Sequence, residues 1–126
     1  MNGNKFLFDS NILIYLSKGL LDVKTFTNKD DVPYVSVITY MEVMGYTFKS
    51  IKEEHLINQF CEGAYIIQLS DKIIKNVIDL RKEYKIKLPD AIIAATAIEN
   101  KLKLVTRNIG DFKNIPKLNI VNPFDK

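Results

Sequence analysis

The sequence predicts an α/β fold in which a mostly parallel central sheet of about five strands is covered by helices on both faces. Three observations predict it. Short β-rich apolar runs alternate with helical patterns along the chain. Consecutive runs are separated by helix-sized segments, the crossover connections that parallel neighbours need. The length of 126 residues leaves room for one hydrophobic core but hardly for two, so a single domain over 1–126 is expected.

Residues 5–8 form a short buried strand, and 10–17 a helix ended by Gly19. A polar stretch containing Asn28 and Asp31 leads to Pro33, which precedes a β-rich run over 34–37 and a helical pattern from 39 to about 48. Ser50 and Glu53 make a capping-box pair for a helix reaching about residue 62, and Gly63 suits a left-handed position beyond its end. A third strand spans 64–69. Ser70 then caps an amphipathic helix with Ile73, Ile74, Val77 and Ile78 on its apolar stripe. Pro89 fits the first turn of a helix whose residues 91–100 are mostly small or aliphatic, as in a helix packed on several sides. Residues 102–106 read as a strand, 108–112 as a loop or short helix, and 118–121 as a last strand before Pro123.

Composition excludes several classes. Hydrophobic residues make up 47% and charged residues 26%, close to soluble globular averages. The longest nearly apolar stretch, 91–98, falls far short of the roughly 20 residues that span a bilayer. The amino terminus lacks the apolar region of a secretory signal, so a cytoplasmic location is expected. One cysteine, Cys61, and one histidine, His55, cannot assemble a zinc site, so any metal must be held by oxygen. Eighteen basic against fifteen acidic residues give +3, a balance compatible with nucleic acid but not diagnostic of it.

Ligands of parallel α/β sheets bind beyond the carboxyl ends of the strands. Asp9 follows the first strand, Glu42 lies in the first turn of the helix after the second, and Asp111 follows the strand ending at Thr106. Asp90 opens the small-residue helix and shares their rim if that helix starts over the sheet edge. Each carboxylate also has a capping explanation: Asp9 as an N-cap, Glu42 as capping-box partner of Thr39, and Asp90 as a dipole-complementing acid. Asp111 also suits an ordinary loop.

The segments around these acids resemble the PIN domain family. Residues 6–14, FLFDSNILI, are similar to its opening, a strand ending in aspartate and followed by Ser or Thr and often Asn. Thr39-Tyr-Met-Glu42 resembles its Thr-x-x-Glu segment, Leu88-Pro-Asp90-Ala its third acidic motif, and 104–112, LVTRNIGDF, its closing motif. The terminal Val121-Asn-Pro-Phe124 is also typical. All come in family order over residues 5–124, and the compact size is most like VapC toxins of toxin–antitoxin pairs.

The resemblance implies a ribonuclease in which Asp9, Glu42, Asp90 and Asp111 hold divalent metal, with Ser10, Asn11, Thr106 and Asn108 fixing the carboxylates by hydrogen bonds. An all-oxygen donor set favours Mg²⁺ or Mn²⁺. The resemblance further implies an RNA substrate, an antitoxin partner and a homodimer, with a stand-alone RNA-processing nuclease as the alternative. Arg81, Lys82, Lys85, Lys87 and Arg107 would guide a phosphate backbone, or form only a solvated face. His55 and Cys61 are assigned structural roles, and Tyr40, Met41, Met44 and Tyr46 a core or a dimer interface. A receiver-like phosphoacceptor of similar size would carry paired acids after the first strand, where Ser10 and Asn11 stand. A haloacid dehalogenase-type phosphatase would need an aspartate at Asn11.

Overall fold

A computed structural model describes residues 4–124. Five strands form one sheet: β1 (Lys5–Phe8), β2 (Val32–Ser36), β3 (Tyr65–Ile67), β4 (Lys103–Val105) and β5 (Ile120–Val121). Their order is β3-β2-β1-β4-β5, and every neighbouring pair is parallel. The helices are α1 (Ser10–Ser17), α2 (Val37–Met44), α3 (Ile51–Glu62), α4 (Asp71–Glu83), α5 (Leu88–Glu99) and α6 (Ile109–Phe112).

β1 shows why the sheet is covered twice. Phe6 and Phe8 point to one face, where they pack with Val35, Val105, Ile12 and Leu13 of α1, Val43 of α2 and Ile57 and Cys61 of α3. Leu7 and Leu104 point to the other, against Ile93, Ala94 and Ala97 of α5 and Phe112 of α6. Side chains alternate across a strand, so a run apolar at every position needs a cover on each side. Burying one such Phe or Leu contributes about 1.5–3 kcal/mol. α4 lays Ile73 and Val77 on Ala91, Ile92 and Ala95 of α5. Residues 91–97 of α5 are all buried, which its alanines permit by letting neighbours approach closely.

The chain starts outward from β1 to β2 and β3, then returns through α4 and α5 to place β4 and β5 on the opposite side of β1. The connection reverses between β1 and β4, and the crevice outside their carboxyl ends is the switch point where such sheets take ligands. The order 3-2-1-4-5 also differs from the 2-1-3-4-5 of receiver domains, which removes that reading.

Several local expectations are corrected. β2 starts at Val32 and runs through Pro33, where only β1 is its neighbour, because β3 begins opposite Tyr34. Proline is tolerated at such an edge-like position. α2 starts at Val37 with Ser36 as cap, its Oγ accepting from the Ile38 N–H, and ends before Gly45. Ser50 does form a capping box with Glu53, but Gly63 has φ −89°, so the left-handed position expected there is absent; it is Gly19, at φ +73°, that is left-handed. Tyr40, Met41, Met44 and Tyr46 are exposed, which excludes the core for them. Cys61 is buried with its thiol pKa pushed up by desolvation, whereas His55 is exposed.

Candidate active site

The acidic rim starts at the switch point. Asp9 leaves β1 and caps α1: its backbone N–H donates to the Val105 carbonyl at 3.2 Å, and its Oδ1 accepts from the Ile12 N–H at 3.0 Å. Thr106, directly after β4, donates its hydroxyl to Asp9 Oδ2 at 2.5 Å and accepts from the Asn108 N–H at 3.0 Å. Asp9 is only 6% exposed and Thr106 is fully buried, so the two side chains bridge β1 and β4 away from solvent. Burial raises the Asp9 pKa above its ordinary value; the Thr106 and Ile12 hydrogen bonds oppose this, and the charge of Glu42 adds to it.

Glu42 stands in the second turn of α2 rather than the first, since Ser36 is the cap. The alternative capping box with Thr39 does not form: Thr39 is buried within the helix, and among the described residues its Oγ1 has no hydrogen-bond partner. Glu42 instead accepts from the Ser10 hydroxyl at 2.5 Å, which ties the start of α1 to α2 beside Asp9. Asp111 is exposed on α6 and accepts from the Asn108 side-chain amide. Asn11 bears on Asp9 through its backbone N–H, while the residue itself is exposed.

Asp90 sits in the first turn of α5, partly buried after Pro89. Its pKa is raised by burial first and next by the charge of Asp111; Lys87 opposes this, and Asp9 and Glu42 add further repulsion. The charges of all three other acids thus bear on Asp90. Among the described residues no three Asp, Glu, His or Cys side chains close into a ready metal cage. The rim is open. Such a donor set suits a hard cation that takes few carboxylates and keeps water ligands, as Mg²⁺ does.

Sequence reasoning missed one arrangement here. Arg107, between Thr106 and Asn108, stacks its guanidinium on Phe124 and Tyr15, 4.4 and 5.5 Å from the ring centroids. The Thr-Arg-Asn order placed it beside the acids, but the aromatic seat comes from α1 and from the segment after β5.

A parallel sheet in this order, with Asp9 directly after β1 at its switch point, defines the class. The chain belongs to the PIN domain family, whose model matches residues 6–118. It is 28% identical to a Ribonuclease VapC from Rickettsia bellii (strain RML369-C), over 91% of this chain and 93% of that relative. The structure resembles a toxin–antitoxin complex from Klebsiella pneumoniae, at 36% identity and a TM-score of 0.71, covering 95% of this chain and 98% of that one. It also resembles VapBC2 from Rickettsia felis bound to a DNA fragment from the promoter, at 26% identity and a TM-score of 0.76, covering 94% and 98%.

Proposed function

We propose that this chain is a divalent-metal-dependent endoribonuclease and the toxin of a VapBC-type toxin–antitoxin pair. The observation that carries the proposal is the hydrogen-bonded bridge at the strand ends, where Thr106 after β4 fixes Asp9 after β1 and Ser10 beside it holds Glu42. Neighbouring carboxylates repel one another, and a cation relieves that conflict. The relatives named Ribonuclease VapC and the toxin–antitoxin complexes support the substrate class and the partner.

In this reading Asp9 is the central ligand, Asp90 and Asp111 complete the metal site, and Glu42 ligates or orients the attacking water; the all-oxygen set favours Mg²⁺ or Mn²⁺. When bound, the ion neutralises the rim and acidifies a water able to attack the phosphodiester. The protein's own task is preorganisation. Thr106 and the Ile12 N–H fix Asp9, Ser10 holds Glu42, and Asn108 holds Asp111. Fixed carboxylates spend less reorganisation at the moment of reaction.

No helix among the described residues is long and apolar enough to cross a membrane. Met41 is 59% exposed, and Tyr40, Met44 and Tyr46 share its apolar surface on and just beyond α2. With the core excluded, we assign these residues to the homodimer interface, and we expect an antitoxin as a further protein partner.

The test is cleavage of mixed cellular RNA. Wild-type protein should cut in Mg²⁺ and stop in chelator. Asp9→Asn, which retains an oxygen to cap α1, should lose at least about three orders of magnitude in rate, the scale of several kcal/mol of charge stabilisation. Its circular dichroism should stay that of wild type. Undiminished cutting by Asp9→Asn would remove Asp9 from the site, and cutting that persists in chelator would remove the metal.

A further inference from the structure

The two neighbours of Arg107 each hold a rim carboxylate, Thr106 on Asp9 and Asn108 on Asp111. Arg107 itself carries its guanidinium onto Phe124 and Tyr15. Those rings meet edge to face, with centroids 5.3 Å apart and planes at 78°, so the seat is itself a packed unit joining α1 to the segment after β5. Arg107 nevertheless remains exposed.

This is an unusual way to leave a cation on a surface. A lysine on a solvated helix face is mobile and strongly hydrated. A guanidinium stacked on rings is held by cation–π attraction, sheds water readily and keeps its in-plane N–H edges for a bidentate acceptor. Less conformational entropy is then lost when an anion binds. Arg107 is the chain neighbour of both residues that hold rim carboxylates, so its backbone is anchored beside them. An acidic rim repels a polyanion, and a fixed cation on its border counters that repulsion locally.

We propose that Arg107 is a phosphate-positioning residue, presented by Tyr15 and Phe124 to grip a backbone phosphate of RNA on the β5 side of the acidic rim. The inference rests on the RNA substrate proposed above. It differs from a structural clasp in one respect: the charge matters, not only the stack.

Two variants separate these roles. Arg107→Met keeps a long apolar stem on the rings and removes the charge; Arg107→Lys keeps the charge and removes the planar fork. Binding is read by fluorescence anisotropy of a short labelled single-stranded RNA of mixed sequence in chelator, and cleavage by kcat and KM in Mg²⁺. Arg107→Met should weaken binding about tenfold and raise KM more than it lowers kcat. One lost phosphate contact should also make the salt dependence of log affinity shallower by about 0.7. Arg107→Lys should restore the salt slope but only part of the affinity, and both variants should melt within a few degrees of wild type.

A salt slope and KM unchanged in Arg107→Met would overturn the proposal. So would a loss of kcat that merely tracks a lowered melting temperature. RNA bound through Arg107 but never cut would keep this inference and refute the nuclease reading, whereas cutting indifferent to Arg107 would do the reverse.

Discussion

Asp9 and Asp90 are the same residue type on the same rim, and both hold a proton more tightly than an ordinary aspartate, but they are built differently. Asp9 is closed in by β1 and β4 and gripped by the Thr106 hydroxyl and the Ile12 N–H, which offset part of its desolvation. Asp90 is more open, follows a helix start with no side-chain cap, and is perturbed after burial mainly by Asp111. One half of the rim is thus fixed by hydrogen bonds across the switch point. At Asp90 burial acts first and the charge of its neighbours next, with no side-chain hydrogen bond at the helix cap to offset them.

The comparison predicts that removing a hydrogen bond hurts the Asp9 half more than any single loss hurts the other. Thr106→Val deletes a fully buried hydroxyl that donates to Asp9 and accepts from the Asn108 N–H. Loss of a group that orients a metal ligand costs about 10–100-fold in activity or metal affinity. Leaving buried partners unsatisfied costs about 1–3 kcal/mol of stability. Cleavage rate and denaturant midpoint should both fall in Thr106→Val, and Thr106→Ser should recover most of each. Wild-type kinetics in Thr106→Val would dissolve the distinction, because Asp9 would then need no support from β4.

The same comparison shows what the sequence could disclose. Strand–helix alternation located Asp9 directly after β1 and Asp111 in the short segment after β4, since that inference needs only local periodicity and a parallel sheet. Glu42 was harder: Thr39 offers a capping-box spacing, and only the true start of α2 at Val37 shows that Ser36 takes the cap and frees Glu42 to face Ser10. β2 was read too short because proline usually marks a boundary, and whether β3 lies beside Pro33 is a tertiary fact. The seat of Arg107 joins three segments distant in the chain, so no local pattern encodes it.

The Asp90 half is open to a pH test. An aspartate whose folded pKa is raised contributes stability that is fully present below its unfolded value of 3.8 and is lost as pH rises through the folded pKa. Asp90→Asn has no such loss. In metal-free buffer it should therefore melt a few degrees above wild type at neutral pH, a scale set by a small domain's unfolding entropy. The difference should vanish below pH 3.8. Mg²⁺ should narrow it by stabilising wild type more. A gap that persists in acid would mean that packing, rather than ionisation, distinguishes the two side chains.

The smallest effect is expected at Thr39, one turn before Glu42. Thr39 and Thr96 are both buried in helices, yet Thr96 donates its hydroxyl to the Ile92 carbonyl at 2.7 Å, whereas the Thr39 hydroxyl meets no partner among the described residues. A buried hydroxyl without a hydrogen bond carries an uncompensated desolvation cost. Thr39→Val should leave stability unchanged or raise it by up to about 1 kcal/mol, while Thr96→Val, which breaks a made bond, should lower it by about the same amount. Chemical denaturation of the pair reads the sign directly. Equal destabilisation by both would show that Thr39 does have a partner in solution. Slower cleavage in a stable Thr39→Val would place that partner at the rim with Glu42, and the set of groups that support the carboxylates would then extend from β4 into α2.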